Sequence, residues 1–428
     1  MTVLDIARDA IATGLVCDAC LGRLVADRSF GLSNAERGRA LRTTVALEAD
    51  EPYEPPEECW VCEGESDRID MWADRAAQAV TGYEFDTYQV GTRVPPMLEE
   101  NDRLLREDVG LAADAGEQLK SELNREVGKR FGREVGAEVD FERPDIQLLL
   151  DLGTDEVELQ VNSAFVYGRY KKLERDIPQT KWPCNECGGT GLQRGAECPG
   201  CDGTGFRYDE SVEQLTAPPV VDAYEGESAT FHGAGREDVD ALMLGTGRPF
   251  VIEVEDPHAR AVDPAQLATE INEFADGKVE VTDLAIPTYE MVERVKQHDA
   301  SKTYRMAVEF DEPVADEVLN EALDSLGGAT ITQRTPQRVD HRRADIDRTR
   351  EVYEIEGELD DETHATVELD GEGGLYVKEL VSGDDGRTEP SLAGLLGVDA
   401  VVTALDVLAV EGENEPFATE QFLQTSDD

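Results

Sequence analysis

All eight cysteines of this chain stand in four pairs of one spacing: Cys17 and Cys20, Cys59 and Cys62, Cys184 and Cys187, Cys198 and Cys201. A gap of two residues lets both thiolates of a turn meet one tetrahedral ion, and two such turns complete a four-thiolate zinc site. The last four form a near-repeat, CNECGGTG then CPGCDGTG, whose glycines permit the positive-φ turns of a zinc knuckle over residues 182–205. Cys17/Cys20 and Cys59/Cys62 are separated by 38 residues containing a predicted helix, and they are assigned to each other because no other partners remain. Disulfides are the competing reading. They are disfavoured because the N-terminus lacks the basic start and apolar run of an export signal, and cytoplasmic thiols stay reduced. A redox dithiol would need a thioredoxin-like setting that neither cluster has. Four thiolates leave no open coordination position, so the expected cofactor is structural zinc, with no redox or nucleotide cofactor.

Two short stretches concentrate cations. Residues 165–182, FVYGRYKKLERDIPQTKW, carry Arg169, Lys171, Lys172, Arg175 and Lys181, interleaved with Phe165, Tyr167, Tyr170 and Trp182. Residues 333–350 carry Arg334, Arg338, Arg342, Arg343, Arg348 and Arg350, with His341. A solvated face or internal ion pairing would explain either run. Cations mixed with aromatics also suit phosphate contacts plus base stacking, which makes Arg169, Lys171, Lys172 and Arg175 candidate RNA contacts, with Arg342 and Arg343 a second set.

These groups need a scaffold. A length of 428 residues with 40% hydrophobic content exceeds one core and excludes wholesale disorder. Residues 2–13 read as a helix capped by Thr2 and stopped by Gly14, and Ser33 with Glu36 forms a capping-box signal. Ile69, Trp72, Ala76 and Val80 stripe one helix face. Leu119, Leu123, Val127 and Phe131 stripe a longer one ending at Gly132. Residues 145–152 and 156–162 read as paired strands joined through Gly153, and a polar, Pro-containing stretch at 206–219 reads as a domain boundary. Beyond it, strands at 249–255, 305–310, 352–359 and 364–369 alternate with helices, one capped by Asp263 with Pro264 at its first position. The C-terminal half is therefore expected to be α+β around a largely antiparallel sheet.

The net charge is −54, with only nine lysines beside 31 arginines and acids dispersed along the whole length. Such a surface repels itself in dilute buffer and is tolerable at molar salt, where the Debye length falls to about 3 Å. The source is expected to be a salt-accumulating halophile. An acidic protein built to bind cations or basic partners would show local acid blocks instead. The longest apolar stretch, residues 392–410, is broken by Asp399 and Asp406, so no membrane span and a cytoplasmic location are expected. No Walker loop, no GxGxxG opening a helix, no HExxH and no GxSxG occurs, which removes the best evidence for ATPase, dehydrogenase, zinc-protease and serine-hydrolase readings.

FVYGRYKKLERDIPQTKW, GREDVDALMLGTGRPFVIE (residues 235–253), SKTYRMAV (301–308), QRTPQRVDHRRAD (333–345) and GLYVKELVSGDDGRTEPS (374–391) follow in that order behind a cysteine-rich N-terminus. The chain so read resembles the archaeal and eukaryotic tRNA pseudouridine synthase family, whose archaeal members act at uridines 54 and 55 of the TΨC loop. The resemblance implies an α+β protein of two parts. An N-terminal zinc-containing, THUMP-related α/β RNA-binding region would span 1–205, and a pseudouridine synthase domain with a mainly antiparallel sheet would span 206–428. It implies tRNA as partner, through its TΨC arm, and no obligate protein partner.

By the same resemblance Asp238, in the Arg236-Glu237-Asp238 triplet, is the catalytic carboxylate, with Asp240 two residues away as the alternative. An ionised carboxylate in a water-poor pocket needs a positive partner or it protonates. Lys378 stands where related synthases carry that cation, and Arg236 is the fallback. Tyr304 and Tyr376 look like the family's substrate-binding tyrosines, whose ring stacks on uracil while the phenol supplies a hydrogen bond. Amphipathic core rings would be the plainer explanation for both. A non-catalytic RNA-binding adaptor would need the basic stretches and the zinc sites but not Asp238. A knuckle-bearing chaperone would need four CxxCGGTG-like repeats and an HPD-bearing helical domain, whereas this chain has two such repeats and no HPD.

Overall fold

The computed structural model describes residues 2–337 and 345–424. The chain divides into two compact units, Met1–Ser163 with Pro257–Arg260, and Ala164–Asp256 with Ala261–Asp428. The compact units part at 163/164, whereas the expected domain division lies at 205/206. The reason is strand pairing: residues 164–172 hydrogen-bond to 243–254, so this stretch is part of the second unit's sheet.

The first unit runs α1 (Val3–Ala12), α2 (Asp18–Arg23), α3 (Asn34–Ala49), α4 (Ile69–Ala79), β1 (Thr87–Arg93), α5 (Pro96–Asp108), α6 (Leu119–Val135), β2 (Glu138–Val139), β3 (Ile146–Asp151) and β4 (Glu156–Val161). Thr2 caps α1 and Ser33 closes a capping box with Glu36, as expected, and Thr2 also closes a box with Asp5. The strands order β2-β1-β3-β4, with β1 parallel to both neighbours and β3 antiparallel to β4. Trp72, Leu123, Val127, Phe131, Ile146, Leu148 and Leu150 share one core. Gly132 does not end α6; the helix continues to a left-handed cap at Gly136. Gly132 is instead a point of close approach, since a Cβ there would lie 2.2 Å from the Tyr88 hydroxyl.

The second unit continues with β5 (Ala164–Lys172), β6 (Leu192–Gln193), β7 (Ala196–Glu197), α7 (Val212–Ala223), β8 (Ser228–Gly233), β9 (Leu242–Glu255), α8 (Pro264–Phe274), β10 (Val279–Ala285), α9 (Glu290–Gln297), β11 (Ala300–Phe310), α10 (Asp316–Leu326), β12 (Thr330–Arg334), β13 (Asp347–Asp361), β14 (His364–Gly371), α11 (Val377–Ser382), β15 (Thr388–Glu389), α12 (Leu392–Leu396) and β16 (Ala400–Gly412). The C-terminal part of the stretch expected to be a polar boundary, residues 212–219, lies in α7, with Pro218 and Pro219 inside the helix. Burial of Val212, Leu215 and Val220 outweighs the two missing N–H groups.

Among the described residues, the unit's main sheet has ten strands in the order β10-β5-β9-β16-β11-β14-β13-β12-β15, with β8 also paired to β9. Every pairing is antiparallel except that of β9 with β16. The sheet is thus mainly antiparallel, as expected, and β16 alone joins its two halves. One core fills around Tyr170, Phe231, Phe250 and Met291, another around Met306, Leu323, Leu369 and Leu380. No helix among the described residues is long and apolar enough to cross a membrane.

Candidate active site

Residues 234–241 connect β8 to β9 in a loop, and its middle carries the Arg236-Glu237-Asp238 triplet. The loop rests on a buried cluster of charges. The Glu237 carboxylate, fully buried, accepts from the Tyr170 hydroxyl at 2.8 and 3.1 Å and pairs with Arg248 at 2.9 Å and Lys172 at 3.7 Å. The Lys172 ammonium donates to the carbonyls of Ile177 (2.8 Å), Val239 (3.1 Å) and Asp238 (3.2 Å). Gln179 donates to the Tyr170 hydroxyl at 2.9 Å and to the Gly235 carbonyl at 2.8 Å, and Arg248 donates to the Ala234 carbonyl at 2.8 Å. Each buried charge therefore has opposite charge or backbone dipoles around it, the condition under which buried ions are tolerated. Burial pulls the Lys172 ammonium below its usual range, with Glu237 opposing, and pushes the Tyr170 phenol well above its own.

Above this floor the Asp238 carboxylate faces a cavity of about 1060 Å³ lined also by Trp182, Arg248, Tyr304, Tyr376 and Lys378. Lys378, in the first turn of α11, places Nζ 3.0 Å from Asp238 Oδ2 and 3.8 Å from Asp240 Oδ2. Both carboxylates reach the same cation, and Asp238 is the nearer and less exposed. Arg236 is exposed and makes no ion pair with Asp238 among the described residues. Tyr304 projects from β11, where burial, opposed by Arg248 and reinforced by Asp238, pushes its phenol up to about 12. The group is an O–H donor throughout the neutral range.

Tyr376 is the N-cap of α11, and its backbone is clamped by the buried Gln333 amide. That side chain accepts from Tyr376 N–H and donates to Tyr376 C=O, each at 2.9 Å. Arg348 donates to the Tyr376 hydroxyl and lies 5.4 Å from its ring centre. Asp238, Lys378, Tyr304 and Tyr376 thus meet in one cavity. Of the residues that hold them, Glu237 and Arg348 stand out in the sequence only as a triplet member and as one of a run of cations, and Arg248 and Gln333 carry no local signal of a supporting role. They are polar residues in strands and loops whose burial depends on distant pairing.

The expected RNA contacts fare differently. Lys172 is corrected: it is completely buried and supports the loop from inside, so it cannot reach RNA. Arg169 spends its guanidinium on the carbonyls of Thr246, Gly247 and Val410 and on Glu411. Arg175 pairs with Asp406 at 2.7 Å and donates to the Asp240 carbonyl, and Lys171 pairs with Glu280 at 3.1 Å. Arg338, His341, Arg342 and Arg343 lie outside the described residues.

The cysteines gather as their spacing predicts. The sulfurs of Cys17, Cys20, Cys59 and Cys62 lie within 4.8 Å of one another, as do those of Cys184, Cys187, Cys198 and Cys201, and none is in a disulfide. A tetrahedral ion with Zn–S bonds of about 2.3 Å sets S···S edges near ~3.8 Å. The observed separations include 3.8 Å for Cys17 to Cys62, 3.8 Å for Cys187 to Cys201 and 3.9 Å for Cys184 to Cys198. Both all-thiol donor sets therefore fit a four-coordinate metal.

In the first cluster Arg23 donates to Cys20 Sγ at 3.1 Å and pairs with the buried Asp102 and Glu122 at 3.0 and 2.9 Å. The second is built from backbone. A Cβ on Gly191 would lie 2.2 Å from the Gly203 carbonyl oxygen, and one on Gly205 would lie 2.4 Å from that of Gly189. Only glycine lets the two half-knuckles close on each other.

Residues 165–411 match the family described as "Pus10, C-terminal", and residues 72–151 match "Pus10 THUMP domain, archaeal". Proteins named tRNA pseudouridine synthase Pus10 align along nearly the whole chain. That of Halorubrum lacusprofundi is 65% identical over 99% of this chain and 100% of its own length. That of Methanothrix thermoacetophila is 43% identical over 95% and 96%, and that of Methanopyrus kandleri 41% over 95% and 98%. With a THUMP region ahead of the sheet that carries the Asp238 cavity, this chain belongs to the Pus10 family of tRNA pseudouridine synthases.

Proposed function

We propose that this chain isomerises uridine to pseudouridine at positions 54 and 55 of the TΨC loop of tRNA, with Asp238 as the catalytic carboxylate. The observation that carries the reading is the Asp238–Lys378 pair at 3.0 Å in a cavity shared with Tyr304 and Tyr376. Isomerisation breaks the N1–C1′ bond, turns the uracil in place, forms a C5–C1′ bond and moves the C5 proton away. No atom is gained or lost. The base must leave its stack to be reached. A carboxylate set beside an ammonium can add to the ring or the sugar, or assist proton removal, while the Tyr304 ring and O–H hold the detached base. The buried floor fixes the Asp238 backbone so that the carboxylate does not need to be reorganised when the substrate arrives.

Of the expected backbone grips, Lys171 and Arg175 remain as RNA contacts in this reading, and Arg342 and Arg343 form the second set. Both thiolate clusters are read as structural zinc sites, the first stiffening the THUMP-bearing unit and the second the loop between β5 and α7. Metal analysis of the purified protein is expected to give two zinc ions per chain, and Cys20→Ser to lose one of them. The enzyme works in the cytoplasm, on tRNA.

The experiment is pseudouridine mapping in a tRNA transcript treated with wild type or Asp238→Asn. Modification of both uridines by wild type and neither by the variant is expected. Equal yields from the two proteins would sink the assignment of Asp238 and favour a different nucleophile, and no pseudouridine from either would favour a non-catalytic RNA-binding role.

A further inference from the structure

One cation in the cavity is used by neither the Asp238 pair nor the floor beneath it. Lys302 lies on β11 two residues before Tyr304, so strand alternation sends both side chains to the same face. Both residues line the cavity with Asp238 and Arg248. The Lys302 ammonium has no hydrogen bond or ion pair with any described residue. Arg248, the neighbouring cation, is committed to Glu237 and the Ala234 carbonyl. Glu413, the one acid acting on Lys302, is exposed and accepts from Gly373 N–H at 3.3 Å.

Burial, reinforced by Arg248 and opposed by Glu413, pulls the Lys302 ammonium down to about 8. A largely buried ammonium set beside a guanidinium is unfavourable twice over, through lost hydration and through repulsion, until an anion joins it. In a chain with nine lysines and a net charge of −54, that arrangement at the mouth of a catalytic carboxylate marks an anion site.

We propose that Lys302 is a substrate-binding residue whose ammonium takes a backbone phosphate of the RNA next to the uridine that enters the cavity; this rests on the uridine-isomerase reading above. Uracil is neutral, and hydrogen bonds to its carbonyls would leave the excess positive charge in place. A phosphodiester brings a full negative charge one sugar away from the base and positions the strand without reading its sequence.

The test uses the full-length protein and full-length tRNA transcripts under single-turnover conditions. Lys302→Met is expected to lower kcat/KM by about 10- to 100-fold, the range of a lost charge-assisted contact, through KM with little change at saturation. Lys302→Arg should recover most of that loss. Transcripts carrying one neutral methylphosphonate beside the target uridine should lose the same factor with wild type and nothing further with Lys302→Met. Wild-type kcat/KM from Lys302→Met, or losses that multiply, would overturn the proposal. If Lys302→Met melts early, the wild-type arm decides: undiminished kcat/KM with every flanking methylphosphonate overturns it. A wild type that makes no pseudouridine fails the parent reading instead, which separates the two.

Discussion

Glu237 and Asp238 are chain neighbours in opposite surroundings. The floor region holds Glu237 among Tyr170, Lys172 and Arg248 with no solvent contact. The cavity wall holds Asp238 beside one ammonium and open to a substrate-sized space. Both regions are made of the same residue types, a carboxylate and a lysine. The difference teaches that charge pairing alone does not separate support from chemistry. In the floor the Glu237 carboxylate and the Lys172 ammonium are taken up by buried partners, so the cluster holds a shape. On the wall the carboxylate keeps an unspent oxygen, and an unspent oxygen can react.

The contrast breaks if the two regions respond alike to mutation. Asp238→Asn should abolish turnover, by on the order of 10⁴-fold or more, while stability stays within about 0.5 kcal/mol; rate and urea midpoint together check this. Lys378→Met should cost about 10²-fold in rate, as for other lost electrostatic partners, again with a near-wild-type midpoint. Lys172→Met should do the reverse. Leaving Glu237 and the loop carbonyls short of a buried cation costs about 3–5 kcal/mol of stability, and the folded fraction should retain measurable turnover. A Lys172→Met protein with wild-type stability and no activity would make the floor part of the chemistry.

The smallest effect is spectroscopic. Since burial raises the Tyr304 phenol to about 12, its neutral form is kept from pH 10 up to that point, and the stability it contributes is lost as pH rises through about 12. Alkaline absorbance titration of wild type against Tyr304→Phe should show one phenolate missing near pH 12 rather than near 10.

What could be read in the sequence was what depends on short spacing. The cap at Thr2, the capping box at Ser33, the helix begun by Asp263 and Pro264, and both thiolate clusters all rest on residues a few positions apart, or on residue types with one chemical use. Asp238, Lys378, Tyr304 and Tyr376 came from likeness to a family, and the fold brings them to one cavity. What could not be read was the fate of polar residues in strands. Lys171 and Lys172 are adjacent and identical, yet the β5 pleat sends one to Glu280 at the surface and the other under the Asp238 loop. The division at 163/164 was hidden for the same reason, because β5 finds its partner about 80 residues later, in β9. Helix α7 was missed because its two prolines argue locally for a break while its buried face argues otherwise.

The place of β16 in the sheet has a consequence for biosynthesis. Asp238 and Arg248 come from the half containing β5 and β9, Tyr304 from the half containing β11, and Lys378 from α11 beyond β14; only β16, made last of the strands, stitches the halves together. A ribosome-bound chain that has displayed Asp238, Tyr304 and Lys378 still lacks the strand whose Leu405 and Val407 complete the cavity wall. A chain cut short before that strand is therefore expected to make no pseudouridine, however well its two half-sheets form.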